Sequence, residues 1–186
     1  MSRPALFLDR DGVINIDHAY VCKPENFEFV DHIFELCRTA KRLGYLIFVV
    51  TNQAGIGRGY YSEQDFLKLT EWMCGVFKSQ GILIDKVYFC PFHPEHGVGH
   101  YKIDSPFRKP APGMIQQASQ EFDVDLAKSV LVGDKESDIQ AGITAGVGFN
   151  LLYDPSELHD PVETAASAVV NSLSEIDQFL YPNENC

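Results

Sequence analysis

The sequence predicts an α/β protein, a three-layer sandwich in which helices cover both faces of a central parallel sheet. Short apolar runs alternate with segments of helical period from end to end. The strongest run, Tyr45 to Val50 (YLIFVV), is apolar on both faces, as a central parallel strand must be. The length sets the domain count: 186 residues suffice for one well-buried core. With no repeat or linker dividing them, residues 1–186 read as a single domain.

Each element has its own signal. Ala5 to Leu8 is a buried strand run. Ile33, Phe34, Leu36, Cys37, Ala40 and Leu43 recur at helical spacing, and Gly44 stops that helix. After the strand Tyr45 to Val50, Ser62-Glu63-Gln64-Asp65 has the form of a capping box and opens a helix reaching about Gln80. Trp72 and Phe77 fall among its core positions. Val87 to Phe89 makes a short strand, and Cys90 to Pro110 is a long irregular stretch rich in His, Pro and Gly. A helix from Pro112 to Phe122, a strand Ser129 to Val132, a helix Ser137 to Ala145 and a strand Gly148 to Leu152 complete the alternation. The tail Asn183 to Cys186 is polar and expected to fray. Strands joined through helices in this rhythm imply right-handed crossovers.

Composition excludes several classes. The hydrophobic fraction of 45% is that of an ordinary globular protein. A formal net charge of -11 argues against nucleic acid, whose phosphates require clustered Lys and Arg. No apolar run approaches the roughly 18 residues of a membrane helix, and Met1 to Pro4 leads into a strand instead of a signal-peptide core. Five scattered cysteines read as free thiols. A cytoplasmic protein is expected, a monomer by default, without a membrane partner.

In open parallel sheets, ligands bind beyond the carboxyl ends of the strands. Three segments sit there. FLDRDG places Asp9 and Asp11 two residues apart with Gly12 to allow the turn. Alone, this pair is an exposed acidic turn or a site needing a nucleophile and a separate proton donor; an EF-hand is excluded, since Gly12 and Tyr20 occupy the fourth and twelfth positions counted from Asp9. VVTNQAGIGRG offers the Thr51 hydroxyl and successive backbone N–H groups, which suit a phosphate. Its glycines match neither a dinucleotide fingerprint nor a P-loop and read as a surface loop or a substrate contact. LVGDKESD supplies Asp134, an acid able to complete a magnesium site. Arg108-Lys109 are solvated charges or local anion binders.

The ordered set LFLDRDGVIN, VVTNQAGIGRG, CPFHP, RKPAPGM and LVGDKESDIQAG resembles the histidinol-phosphatase type of the haloacid dehalogenase superfamily, over residues 5 to 152. The resemblance implies a Rossmann-like haloacid dehalogenase fold without a large cap domain. It implies a Mg2+-dependent phosphatase removing the 7-phosphate of a heptose 1,7-bisphosphate through an aspartyl-phosphate. Histidinol-phosphate hydrolysis and non-catalytic sugar-phosphate binding are the alternatives. The substrate would be a small phosphorylated sugar. By the same resemblance Asp9 is the nucleophile and Asp11 the acid and base, with a raised pKa. Thr51, the backbone of Asn52, and Lys109 hold the phosphoryl group. Asn52, Gln53, Arg58, Arg108 and Lys135 meet substrate or support the site, and Asp9, the carbonyl of Asp11, and Asp134 hold Mg2+.

One part departs from that pattern. Where related phosphatases carry four zinc ligands, this chain has Cys90, Phe92, Ser105 and Phe107. A closed zinc site needs four ligands, so no structural zinc is expected. Phe92 and Phe107 are expected to pack together in its place, with the histidines solvated.

Overall fold

The computed structural model describes residues 2–156 and 163–181. Six strands, β1 (Ala5–Leu8), β2 (Leu46–Asn52), β3 (Lys86–Cys90), β4 (Val130–Gly133), β5 (Phe149–Tyr153) and β6 (Ala168–Val170), form one sheet in the order β3-β2-β1-β4-β5-β6. Every pairing is parallel. Among the described residues five α-helices accompany it: α1 (Ile33–Arg42), α2 (Ala54–Gly57), α3 (Glu63–Ser79), α4 (Gly113–Phe122) and α5 (Glu136–Ala145). A 3-10 helix spans Leu173–Phe179.

The two faces of the sheet follow the period of two along each strand. Leu6, Leu8, Ile47, Val49, Val130 and Val132 face one core, where Ile33, Leu36 and Ala40 of α1 meet Leu69, Met73 and Phe77 of α3. Phe7, Leu46, Phe48, Val50 and Leu131 face the other, covered by Met114, Ile115 and Ala118 of α4 and Ile139 and Ala141 of α5. The expected capping box is present: Ser62 Oγ accepts from Asp65 N, and the Asp65 carboxylate accepts from Ser62 N. Phe77 is fully buried and Trp72 packs at the edge of the same core.

Three details differ from the sequence expectation. β2 continues through Thr51 and Asn52 because both pair with Phe89 and Cys90 of β3. The glycine segment after it is not a loop throughout; Ala54–Gly57 closes one helical turn. Residues 168–170 form a sixth strand beside β5, too short for periodicity to reveal. The predicted frayed tail lies outside the described residues. Cys22, Cys37, Cys74 and Cys90 are free thiols. No described helix is long and apolar enough to cross a membrane.

The chain starts at β1, extends one way through β2 and β3, and returns to the other side of β1 for β4. This reversal opens a crevice above the carboxyl ends of β1, β2 and β4. α5 closes one wall of it, and its packing is tight: a Cβ on Gly142 would lie 1.8 Å from Asn150 Oδ1. Replacing Gly by Ala inside a helix ordinarily stabilises by about 1 kcal/mol. Gly142→Ala should instead destabilise by roughly 1–3 kcal/mol, read as a lower urea midpoint with unchanged slope; a higher midpoint would mean the helix moves aside freely.

Candidate active site

Asp9 leaves β1 and is held at once. Its N–H donates to Val132 O at 3.0 Å, and its Oδ1 accepts the N–H of Arg10 at 2.7 Å. The same oxygen lies 3.0 Å from Lys109 Nζ. Lys109 is 3% exposed and donates also to Val50 O at 2.7 Å and to Asp138 Oδ1 at 2.7 Å. Asn52 fixes the lysine's own backbone: its Oδ1 accepts from Lys109 N and its Nδ2 donates to Lys109 O, both at 3.0 Å. The Asn52 side chain is therefore engaged with the loop that carries Lys109.

Asp138, one turn into α5, was not singled out from the sequence. Its Oδ2 accepts from Lys135 N at 3.0 Å, closing a capping box, while its Oδ1 meets Lys109. An acid three residues after Lys135 at the start of a helix, the N3 position of a capping box, was the available signal. Asp134 offers a different picture. Its Oδ2 is 3.1 Å from Lys135 Nζ, and its Oδ1 is buried without a partner. Gly12, at φ +93°, passes so close that a Cβ there would lie 2.4 Å from Asp134 Oδ2.

Asp11 sits among donors. Arg10 Nη2 is 2.9 Å from both of its oxygens, Asn15 Nδ2 reaches Oδ1 at 3.1 Å, and Gln53 Nε2 reaches Oδ2 at 3.0 Å. Sequence reading passed over Arg10, which is 1% exposed. Its Nη2 also donates to Val21 O at 2.8 Å, and its guanidinium lies 5.6 Å from the Phe66 ring centre.

These groups enclose a pocket of about 60 Å³ lined by Asp9, Asp11, Thr51, Lys109, Ser137 and Asp138 among others. It opens into a cleft of about 580 Å³ whose walls include Tyr20, Gln53, Tyr61, Arg108 and Lys135. Thr51, Asn52, Gln53, Lys109 and Lys135 are thus gathered where the strand-end rule places them. Arg58 follows α2, where its charge acts on Arg108 and His93.

Electrostatics decide what the pocket holds. Burial pushes the Asp9 carboxyl up to about 8 against the opposing pull of Lys109. Burial also raises Asp134, again against a cation, Lys135. For Lys109, burial works to lower the ammonium, but Asp138 and Asp9 outweigh it and hold it above its ordinary value. Oxygens of Asp9, Asp134 and Asp138 lie within 4.8 Å of one another, so three acids share one fully buried cation. A divalent ion fits that deficit, and hard carboxylate oxygens suit Mg2+. Asp138 already gives both oxygens to protein donors, which leaves Asp9 and the unpartnered Asp134 Oδ1 as the side-chain donors.

The 90–110 loop does not fit zinc. Burial pushes the Cys90 thiol up, and its side-chain partner is Ser105, whereas zinc takes thiolates. Among the described residues no other His, Cys, Asp and Glu group closes to ligand spacing. The ring that meets Phe92 is Tyr101, at 6.0 Å, while Phe107 is 39% exposed. Tyr101 displaces the expected Phe92–Phe107 pair because its hydroxyl is anchored on Glu63 at 2.9 Å. His93 is not simply solvated, since its Nδ1 accepts the N–H groups of Glu95 and His96.

Comparison with known proteins agrees with this geometry. A HAD-hydrolase-like family model matches residues 106–176. The D-glycero-alpha-D-manno-heptose-1,7-bisphosphate 7-phosphatase of Burkholderia mallei is 62% identical over 180 residues, 97% of this chain and 95% of its own length. The chain belongs to the heptose-bisphosphate phosphatases of the haloacid dehalogenase superfamily. The D-glycero-beta-D-manno-heptose-1,7-bisphosphate 7-phosphatase of Vibrio cholerae is 44% identical over 181 residues, 97% of each chain. The D,D-heptose 1,7-bisphosphate phosphatase of B. bronchiseptica, solved with magnesium and phosphate, superposes at a TM-score of 0.78 with 26% identity, covering 94% of this chain and 96% of that one. As a member of this family the chain is a phosphoric monoester hydrolase, and its Asp9, Asp134 and Asp138 oxygens have the spacing to hold a divalent ion.

Removing Lys109 would leave Asp9 and Asp138 buried without their counter-ion. Lys109→Met should lower stability in chelator by about 3–5 kcal/mol, measured by urea unfolding. Magnesium should then restore more stability to the variant than it adds to the native protein, because it binds an uncompensated acid pair.

Proposed function

We propose that the chain hydrolyses the 7-phosphate of D-glycero-D-manno-heptose 1,7-bisphosphate, giving heptose 1-phosphate for nucleotide-activated heptose. The α anomer is the preferred substrate. The observation that carries the reaction is the convergence of Asp9, Thr51 and Lys109 at one strand-end pocket, with an Asp134 oxygen within 4.8 Å of an Asp9 oxygen. The α preference rests on the likeness to the Burkholderia protein, 62% against 44% for the Vibrio protein named for the β anomer.

Two Asp beside a dianionic phosphate would repel it, so the local field must be reversed by cations. Asp9, Asp134 and the carbonyl of Asp11 would hold Mg2+, which would supply charge neutralisation at the transferring phosphoryl group. Lys109 adds a fixed positive charge beside Asp9 Oδ1. With Oδ1 fixed by Arg10 N–H and Lys109, the other oxygen of Asp9 attacks phosphorus. The bond from phosphorus to the C7 oxygen breaks, and a proton from Asp11 passes to that oxygen. Water then attacks the aspartyl-phosphate, Asp11 takes its proton, and the bond between phosphorus and Asp9 breaks to return both groups to their starting state. Thr51 donates to the phosphoryl oxygens throughout. Positioning and charge supply most of such catalysis, because phosphoryl transfer leaves little covalent work for the protein.

A bisphosphate also suits the cleft. One phosphate fills the small pocket, and the other meets Arg108 on the cleft wall, where burial and Arg58 hold its guanidinium below its ordinary value. A nearby anion would oppose that lowering. The continuous sheet supports a single domain, and the free thiols support a cytoplasmic setting.

Phosphate release from both anomers of heptose 1,7-bisphosphate and from histidinol phosphate tests this reading. With Mg2+, kcat/KM for the α anomer should exceed the others by at least about tenfold, a difference of about 1.4 kcal/mol at the transition state. Asp9→Asn should lower kcat by more than about 10⁴. Release from none of the three would leave a sugar-phosphate binder, and an unchanged Asp9→Asn rate would reject the nucleophile.

A further inference from the structure

Gln53 and Tyr61 stand behind the reacting groups, and the chemistry above uses neither. Gln53 is 2% exposed and Tyr61 9%. Gln53 Nε2 donates to Asp11 Oδ2 at 3.0 Å and to Thr51 Oγ1 at 2.8 Å. A primary amide carries both of its donors on nitrogen, so the end turned to Asp11 Oδ2 and Thr51 Oγ1 is its nitrogen. The amide oxygen then receives the Tyr61 hydroxyl at 2.5 Å. Burial holds that phenol well above its ordinary value, so it stays a donor.

The direction of each bond matters. A threonine hydroxyl has one proton and two lone pairs. When Gln53 donates to Thr51, the threonine's own proton is left for another acceptor, and Thr51 lines the pocket where phosphoryl oxygens would lie. The same amide tethers Asp11 at Oδ2, the oxygen it shares with Arg10, while Asn15 holds Oδ1. If the amide flipped, its oxygen would face Asp11 and compete for the Thr51 proton. Tyr61 prevents the flip, since its hydroxyl rewards only the observed orientation. Gly55 makes room for this arrangement: a Cβ there would lie 2.3 Å from Tyr61 Cε1.

We propose that Gln53 is a positioning residue and not a substrate contact, and that Tyr61 locks its amide so that Thr51 presents its proton to the phosphoryl group while Asp11 stays at the leaving oxygen. This rests on the phosphatase reading above.

The test compares Gln53→Leu, Tyr61→Phe and the double variant on heptose 1,7-bisphosphate and on p-nitrophenyl phosphate, each with Mg2+. The nitrophenolate leaves without a proton, so it reports the phosphoryl contacts but not the acid. Gln53→Leu should lower kcat on the sugar about a hundredfold, with KM within about threefold, and kcat on the aryl ester only about tenfold. Tyr61→Phe, which keeps the ring and the packing, should show the same pattern more weakly. The double variant should be no slower than Gln53→Leu, because Tyr61 acts through Gln53. A rise in KM at constant kcat, equal losses on both substrates, or additive losses in the double variant would overturn the proposal. Failure of the unsubstituted protein on the sugar bisphosphate would overturn the functional reading and this inference together.

Discussion

One buried ammonium organises the centre of this protein. Lys109 Nζ meets Asp9 after β1, Val50 O in β2 and Asp138 in α5, and Asn52 holds its backbone from the end of β2. Segments from four parts of the chain are thereby set around one point. A buried ion pair adds little net stability, because desolvation offsets the attraction. Its value here is geometric: the Asp9 carboxylate is pinned by one oxygen before any substrate arrives. A charge already in place needs no reorganisation as the reaction proceeds.

The rest of the site follows from carboxylates having no protons of their own to give when ionised. Asp9, Asp11 and Asp138 each draw donors from different elements, and those donors then fix the orientation of whatever else they touch. Asp138 shows this most simply. One oxygen caps α5 through Lys135 N and the other holds Lys109, so the helix start and the phosphate pocket are fixed by one side chain. Among the described carboxylates of the site, Asp134 is the one with a buried oxygen that lacks a protein partner, which suits a cation.

The sheet and its strand-end motifs were legible because both rest on local pattern. YLIFVV had no other reading, and FLDRDG, VVTNQ and LVGD fall where a parallel sheet presents its ligands. Residues whose role depends on a distant partner were harder. Asp138 has meaning only once Lys109 is known to lie beside it, and Arg10, passed over in the sequence, matters through its guanidinium against Asp11. For Gln53, read as a substrate contact, nothing local shows that its amide also faces Asp11 and Thr51. Ala168 to Val170 is too short to announce a strand and exists by pairing with β5. In the 90–110 loop the loss of zinc ligands was visible, but the choice of Tyr101 over Phe107 as the partner of Phe92 is tertiary.

That loop also changes what the protein requires of its surroundings. Its turns are held by a thiol–hydroxyl contact, a pair of rings and backbone bonds to an imidazole, all of which the chain makes unaided. Among the described residues none of these contacts draws on a thiolate–zinc bond. Metal deprivation would halt turnover while leaving the wall of the substrate cleft in shape, ready to resume when magnesium returns.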